Sequence, residues 1–262
     1  MSQYWQDREA DALNKVSNKT IRQTEKQLKK YYSDLMGRTL EDFEAVYNKL
    51  LNATIEGQEP TPADLYKLDA YWQHQAQLRE ELNKLGEKQI ALLSKQFELN
   101  FFDVYFAIGT VGEKAFSTID KSLVQQMINS VWCADGKSWS QRIWKNTELL
   151  AETLNEELVH CVASGKKPTQ LKKLLQERFD VSYNNADMLV RTEIAHIQSQ
   201  AALKRYEDAG VLEVQVWATE DERRCEHCGK LHKKKYPIGA VVPIPNHPNC
   251  RCNVVPVIDT II

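Results

Sequence analysis

The sequence predicts a mostly α-helical protein of the α+β class, with long N-terminal helices, a helical middle domain and a small β-rich C-terminal segment. Apolar residues recur at helical spacing up to about residue 210, and glycine is scarce over the same range. Five of the eight prolines then fall between positions 237 and 256, where short strands and turns are expected instead of helix.

Composition shifts divide the chain into three predicted parts. Residues 1–109 are expected to form an extended helical arm, residues 110–210 a helical core domain, and residues 211–262 a short-stranded, Cys/His-rich subdomain. The first boundary follows the apolar run 101–108. The second follows Gly210, because glycine commonly ends a helix.

The arm is expected to hold three helices. The first two, over 3–35 and 40–53, are separated at Gly37, a residue type that disfavours helix. The apolar stripe of the first helix is thin, which favours a helix that lies on a partner protein. The third helix begins at Thr61, whose side chain can cap it, and its leucines continue at helical spacing to about residue 100.

The middle part is expected to contain four helices, followed by a change from helix to strand. The helices cover residues 112–132, 139–163, 168–178 and 184–209. Beyond them, valines alternate with other residues over 211–217, which predicts a strand.

The charge balance excludes some classes of protein. The formal net charge is −2 with 27% charged residues, which excludes disordered chains and histone-like basic proteins. Residues 221–262 carry seven basic and four acidic side chains, a local net charge of 7 − 4 = +3. Lys233, Lys234 and Lys235 supply most of this excess. Such a run is either a solvated loop or a contact for DNA, RNA or an acidic partner surface.

The sequence shows no targeting or membrane segment. No window approaches the length of an apolar membrane span, and the polar N-terminus lacks the features of a signal peptide. We therefore expect a protein without a membrane span that is made in a reducing compartment. Its cysteines should then be thiols or metal ligands, since disulfides are rare there.

The densest group of metal-binding residue types lies near the C-terminus. Cys225 and Cys228 form a C-x-x-C pair, and His247, Cys250 and Cys252 follow further along the chain. Two cysteines separated by two residues can direct both thiolates to one Zn²⁺, and a second turn can supply the remaining ligands. A proline-rich segment this small depends on a metal for stability. We predict a structural zinc with Cys225, Cys228 and Cys250 as ligands, and His247 or Cys252 as the fourth.

Other interpretations of this cluster remain open. His227 is expected to point away from the metal, and His232 is a weaker candidate ligand. Free thiols in a metal-free fold, disulfides in an oxidising environment, and a catalytic zinc or cysteine are the alternatives. A catalytic zinc would need an open coordination position and a nearby general base, which the spacing does not indicate.

The C-terminal residues resemble a known pattern. The stretches 221–228, 231–232 and 247–252 resemble the ending of phage head morphogenesis proteins, the family of the minor head proteins of phages SPP1 and Mu. The run H-P-x-C-R-C is the specific part. This sequence departs from the pattern at Lys233, where the family often has glycine, and we expect a longer loop there.

Upstream segments resemble the same family in the same order. Residues 138–144 resemble its W-S-x-R-I-W segment, Arg191-Thr192-Glu193 resembles its R-T-E helix, and Tyr4-Trp5 resembles the opening of some members. The resemblance implies a minor capsid protein, present in few copies per virion, made in the host cytoplasm and located in the head near the portal. Its implied partners are the portal protein, other head proteins and double-stranded DNA. Its implied roles are head assembly and the early fate of ejected DNA. A zinc-stabilised nucleic-acid-binding module is the alternative.

The R-T-E helix has a catalytic and a structural interpretation. Glu193 and His196 on one helix suggest acid–base chemistry, but a buried Arg191–Glu193 pair that joins this helix to the Cys/His segment is the stronger interpretation. No G-x-S-x-G, P-loop or H-E-x-x-H motif occurs. We therefore expect no catalytic residues and no enzymatic activity. Some toxins carry a module of this kind ahead of an effector domain, and because the sequence ends at Ile262 we expect none here.

Overall fold

The computed structural model describes residues 3–56, 58–108, 119–222, 224–241 and 243–257. It is mostly helical with a small C-terminal sheet, which confirms the predicted fold class. The helices in the described residues are α1 (Gln3–Ala53), α2 (Pro62–Tyr66), α3 (Asp69–Ala107), α4 (Lys121–Ile128), α5 (Trp139–Ala163), α6 (Pro168–Asp208) and α7 (Glu226–Leu231). The strands are β1 (Glu213–Trp217), β2 (Lys235–Pro237) and β3 (Asn253–Pro256).

The chain divides into two compact units. The first, here called the sheet unit, comprises Met1–Glu25, Leu92–Trp139 and Met188–Ile262. The second, here called the leucine unit, comprises Lys26–Ala91 and Ser140–Asp187. Helices α1, α3 and α6 contribute residues to both. The predicted domain boundaries after residues 109 and 210 stay a prediction.

Helix α1 is continuous where the sequence predicted a break. It passes through Gly37, although a glycine inside a helix costs about 1 kcal/mol relative to alanine. Leu35 and Leu40 on either side are buried, and their packing outweighs this local preference. The thin apolar stripe is also buried within the protein itself, since Leu13 and Leu28 are almost fully covered.

The cap predicted at Thr61 is confirmed. Its side chain and the Asp64 carboxylate form a reciprocal capping box at the start of α2. The helical path is interrupted after one turn, and α3 then extends to Ala107, beyond the predicted end near residue 100. The predicted turn at Gly109 and the first residues of the helix predicted over 112–132 lie outside the described residues.

The middle helices follow the prediction with two corrections. The helix predicted over 112–132 is shorter, because α4 begins after its N-cap Asp120 and ends at Ile128, so residues 129–132 are not helical. The bounds of α5 are those predicted, and Gly165 follows it with a φ of 60° in the left-handed region. The two helices predicted over 168–178 and 184–209 are one helix, α6, because Phe179 in the expected gap is buried in the leucine unit. Helix α6 ends at Asp208, and Gly210 follows it with a φ of 77°, as expected of a glycine that ends a helix.

The core of the leucine unit is built from helix faces. Its buried leucines come from α1, α2, α3, α5 and α6 and include Leu50, Leu65, Leu78, Leu82, Leu85, Leu150, Leu154, Leu158, Leu171 and Leu175. Burying each leucine contributes about 1.5–3 kcal/mol. The leucine unit is therefore stabilised by a core of buried apolar side chains, as is usual for helical proteins.

The sheet is antiparallel, with strand order β2-β1-β3. The first turns of α1 contact it through side chains: Gln6 donates a hydrogen bond of 2.9 Å to Gln215, and Asp7 accepts one of 3.1 Å from the Trp217 indole. Ala10, Trp217 and Val255 form a small buried apolar cluster. The two ends of the described chain thus stabilise each other within the sheet unit. The helices that the structure describes include none that is long and apolar enough to cross a membrane.

Candidate metal centre

The first pair of candidate ligands is positioned by the start of α7. Cys225 is the N-cap of this helix, and its Sγ accepts a hydrogen bond of 3.3 Å from the backbone N–H of Cys228. Because N-cap and third helical residue lie on the same side of the first turn, the two Sγ atoms face one point. The C-x-x-C spacing is therefore realised as a helix cap.

The second pair is positioned by a tight turn. The backbone N–H of Cys250 donates to the carbonyl of His247 over 3.1 Å, and Asn249 between them has a φ of 58°, in the left-handed region. Asparagine tolerates this conformation better than most residues. The turn brings the side chains of His247 and Cys250 to the side that faces Cys225 and Cys228.

Three distances between the donor atoms are close to the edges of a tetrahedral zinc site. His247 Nε2 is 3.3 Å from both Cys225 Sγ and Cys228 Sγ, and Cys228 Sγ is 3.7 Å from Cys250 Sγ. With Zn–S of about 2.3 Å and Zn–N of about 2.0 Å, tetrahedral edges are about 3.8 Å between sulfurs and about 3.5 Å between sulfur and nitrogen. The groups Cys225–Cys228–His247 and Cys228–Cys250–Cys252 could each hold a metal ion, and they share Cys228.

The histidine is oriented as metal-bound histidines are. His247 Nδ1 lies 2.8 Å from the carbonyl oxygen of Pro248, so the Nδ1–H tautomer donates a hydrogen bond there. Nε2 is then left as a lone-pair donor directed at the two sulfurs. This backbone hydrogen bond on the far ring nitrogen is the usual support of a histidine ligand.

The protonation of the thiols also fits a cation. Burial raises the pKa of Cys228 to about 12, and a hydrogen bond with Cys250 raises the pKa of Cys252. The same hydrogen bond from Cys252 lowers the pKa of Cys250 to about 5. Without a cation only one of these three thiols therefore ionises readily, because neighbouring thiolates repel one another. A bound cation removes that restriction.

The two other histidines of the segment have different surroundings. His232 Nδ1 accepts a hydrogen bond of 3.1 Å from the backbone N–H of Ala218, and its Nε2 lies 3.3 Å from the Glu220 carboxylate. His227 is exposed on α7. Neither belongs to the groups of donor atoms found in the described residues.

Helix α6 anchors the segment that carries the second pair of ligands. Thr192 Oγ1 accepts a hydrogen bond of 3.1 Å from the backbone N–H of Asn249, inside the ligand turn. Further along α6, Gln198 donates to Asn253, and the Tyr206 hydroxyl donates to the carbonyl of Val254. Sequence reasoning missed the role of Thr192, although this residue lies in the R-T-E motif that it singled out.

An ion pair ties the two ligand segments together. Arg251 donates two hydrogen bonds, of 2.6 and 2.7 Å, to the two carboxylate oxygens of Asp221. Thr219 donates to the backbone carbonyl of Arg251 over 2.7 Å. The bidentate geometry gives this pair a fixed orientation. The residues before Cys225 are thereby held against the residues after Cys250.

The R-T-E helix places its charged residues in separate contacts. Arg191 pairs with Glu25, while Glu193 is 2% exposed and accepts a hydrogen bond of 2.9 Å from the Trp132 indole. His196 stacks on Trp132 with 4.2 Å between ring centroids, and burial lowers its pKa to about 4. The predicted pairing of Arg191 with Glu193 stays a prediction.

The lysine run lies on a turn and an edge strand. All three lysines are exposed, and Lys235 belongs to β2, which is at one edge of the sheet. Lys233 has a φ of 64°, a conformation that favours glycine, and its backbone N–H donates to the carbonyl of Val216 over 2.8 Å. The expected longer loop at this position is wrong: the turn is tight, and lysine occupies a left-handed position within it.

Comparison with known proteins supports the resemblance. Residues 152–255, from within α5 to β3, match the family model described as Phage Mu protein F like protein. This region is similar to phage Mu protein F. The match contains all five predicted ligands and confirms the resemblance to phage head morphogenesis proteins.

One curated relative adds a second comparison. The chain is 24% identical over 188 residues to the NAD(+)--arginine ADP-ribosyltransferase EFV of Enterococcus faecalis. The aligned region is 64% of this chain but 38% of that relative, so the chain spans well under half of the relative's length. No solved structure matches the chain.

Proposed function

We propose that the protein is a minor capsid protein of a tailed phage or prophage that acts in head assembly near the portal and the packaged DNA. The observation that carries this proposal is the Cys/His cluster inside the phage Mu protein F-like region, with its H-P-N-C-R-C run folded into a ligand turn. The proposed partners are the portal protein and other head proteins, and the proposed location is the head interior of the virion.

The presence of the protein in particles tests this role. Purified virions induced from a lysogen should contain the protein in few copies, and deletion of its coding sequence should lower the number of DNA-filled, infectious heads. A protein that is absent from virions and dispensable for head formation would contradict the proposal.

We further propose that the cluster binds one structural Zn²⁺ through Cys225, Cys228, His247 and Cys250. Among these four side chains, His247 Nε2 lies 3.3 Å from Cys225 Sγ and from Cys228 Sγ, and Cys228 Sγ lies 3.7 Å from Cys250 Sγ. Cys252 supports Cys250 by a hydrogen bond. Bound zinc would supply a closed crosslink between α7 and the ligand turn. The residues themselves hold the geometry through the α7 cap, the Asn249 turn and the Asp221–Arg251 pair.

Metal content tests the site and its ligand set. Native mass spectrometry of the purified protein should find one zinc per chain, lost in His247→Ala and retained in His227→Ala, the matched exposed histidine. Cys252→Ser should retain zinc. A protein that binds no zinc, with reduced thiols and unchanged stability, would refute the site. Loss of zinc in Cys252→Ser together with its retention in His247→Ala would show that Cys252, and not His247, is the fourth ligand.

DNA contact by Lys233, Lys234 and Lys235 is the second candidate function. Their exposure on the edge of the sheet favours it, because three clustered cations can neutralise phosphates without base contacts. Three contacts predict a slope of about −2.7 in a plot of log K against log salt. Replacing all three lysines by glutamine should remove most of that slope. Unchanged DNA binding, or binding without salt dependence, would favour a portal-directed role for this surface.

We propose a structural instead of an enzymatic role for the R-T-E helix. Glu193 and His196 are both buried, at 2% and 5% exposure, and Glu193 accepts from an indole instead of facing an open cleft. Incubation of the protein with NAD⁺ and arginine, suggested by the curated relative, should consume no NAD⁺. Turnover that disappears in a folded Glu193→Ala variant would overturn this proposal.

A further inference from the structure

The leucine unit carries a groove between α3 and α5 that the proposed function does not use. Its volume is about 460 Å³. The two helices run antiparallel, since Tyr71 donates to Asn155 at one end and Gly86 lies against Trp144 at the other. On α5 the lining extends from Trp144 to Asn155, which is about 16 Å at 1.5 Å per residue. The groove is thus about three helical turns long.

The groove has an apolar floor and an aromatic end. Leu78 and Leu82 are buried beneath it, whereas Trp144 at its end is 38% exposed. A Cβ atom at Gly86 would lie 2.5 Å from the Trp144 ring, so glycine is what allows the indole to lie this close to α3. Trp144 is thus a partly exposed aromatic side chain at the end of a groove whose floor is apolar.

One rim of the groove is acidic. Glu148, Glu152 and Glu156 follow one another at four-residue intervals on α5, and all three are exposed. Like charges at this spacing disfavour a helix. None of the three forms an ion pair with a described residue, and Glu148 and Glu152 line the groove, so this rim carries negative charge that no described cation neutralises.

The opposite rim presents donors. Arg79 is exposed there and forms no ion pair with a described residue. Gln75 also lines the groove, and its Nε2 is buried without a hydrogen-bond partner among the described residues. A buried donor without a partner is costly, so an acceptor on an incoming molecule would be stabilising. The two rims therefore differ in charge and in hydrogen-bonding character.

We propose that this groove binds a basic amphipathic helix of a partner protein. The apolar face of that helix packs on Leu78, Leu82 and Trp144, and its lysine or arginine side chains reach Glu148 and Glu152. Carbonyl or carboxylate oxygens on its other side accept from Arg79 and Gln75, which fixes its direction. Groove length, apolar floor and acidic rim together match the helix-in-groove mode of recognition. The site is separate from the Cys/His cluster and does not depend on the proposed zinc.

A synthetic helix provides the test. A peptide of about 18 residues with leucines at i, i+3, i+4 and i+7 and lysines elsewhere is titrated into the full-length protein. Binding is followed by fluorescence, and the difference between wild type and Trp144→Phe isolates the signal of Trp144. We expect saturable binding with a shift of the Trp144 emission. The double variant Glu148→Lys/Glu152→Lys should bind about tenfold more weakly or worse.

A matched variant separates the groove from general charge. Glu41→Lys/Glu44→Lys makes the same charge change at two exposed positions of α1 in the same unit, and it should bind the peptide as the wild type does. A peptide with glutamate in place of lysine should not bind. Equal loss in both double variants, binding that is unchanged by Glu148→Lys/Glu152→Lys, or no shift of the Trp144 emission would each overturn the proposal. These outcomes are independent of zinc content, so they do not test the proposed function.

Discussion

The two units of the molecule are stabilised in different ways. Among the described residues, the core of the leucine unit buries twelve leucines from five helices, and its stability follows from apolar burial. In the sheet unit, the segment that contains β1 to β3 also buries apolar side chains, among them Val214, Val216 and Val254, but polar contacts hold it in addition: the Asp221–Arg251 pair, the Thr192–Asn249 hydrogen bond and the Cys/His cluster. An apolar core tolerates small changes of its side chains, whereas a group of polar contacts and candidate metal ligands depends on each donor atom. The two units should therefore lose their structure under different perturbations.

Removing the proposed zinc should have the largest effect. Structural zinc contributes about 10–16 kcal/mol of binding free energy in zinc-finger peptides, so chelation or Cys228→Ser should cost on the order of 5 kcal/mol or more locally. We expect amide hydrogen exchange to rise in β1, β3 and α7 and to stay low in α5. His227→Ala is the control and should leave hydrogen exchange unchanged in both units. Equal exchange increases in α5 would show that the units do not fail separately.

Breaking the apolar core should have the next largest effect. Leu154 is fully buried in the leucine unit, and Leu154→Ala should cost about 2–5 kcal/mol through lost burial and a cavity. Chemical denaturation measures this loss, and zinc content should not change. Leu149→Ala on the same helix is the control, because Leu149 is 48% exposed and should change stability by about 0.5 kcal/mol or less. Zinc loss in Leu154→Ala would contradict the separation of the two kinds of stability.

The sequence predicted the parts of the fold that local patterns decide. The bounds of α5 and the cap at Thr61 depend on residues within one or two turns, and both are confirmed. The breaks expected at Gly37 and near Phe179 are wrong, because burial of neighbouring side chains outweighs local propensity. The contact of Gln6 with Gln215 joins residues 209 positions apart, and no local pattern encodes it.

In the candidate site too, the sequence predicts what a local pattern decides and misses what distant contacts decide. Cysteine and histidine at short spacings indicate metal ligands, because few other functions require several of these residues close together in a sequence. The structure brings five such residues together: Cys225, Cys228, His247, Cys250 and Cys252. The residues that support them are of common types. Thr192 and Asp221 reach the ligand segments from a distant helix and from a preceding turn, so their roles follow only from the folded structure.

Removing a supporting contact should have an intermediate effect. Thr192→Val keeps the shape of the side chain but leaves the backbone N–H of Asn249 without its acceptor, which should cost about 1–2 kcal/mol. Because the ligand turn is loosened, zinc affinity should fall about tenfold, measured by competition with a chelator. Thr153→Val on α5 is the matched control, since its hydroxyl makes a similar bond to a carbonyl of its own helix. Equal affinities in both variants would show that Thr192 does not position the ligand turn.

The smallest effect is expected at Lys233, and it should be a gain. Lys233 occupies the left-handed region, where a side chain costs about 1 kcal/mol that glycine does not. Two effects of Lys233→Gly reduce this gain: the ammonium group loses its contact with the Trp217 ring, and the unfolded chain gains conformational freedom. We therefore expect a net stabilisation of only about 0.5 kcal/mol. Thermal denaturation measures this gain, and Lys234→Gly, at a position without positive φ, should destabilise instead.

The same variant links the turn to the proposed DNA contact. Lys233→Gly removes one cation, so the salt slope of DNA binding should become about 0.9 less negative while stability rises. A stabilised protein with weaker DNA binding would mean that lysine at this strained position serves binding and not folding. Loss of stability would instead show that the contact with Trp217 outweighs the backbone conformation, and the departure from the glycine of the family pattern would then be structural.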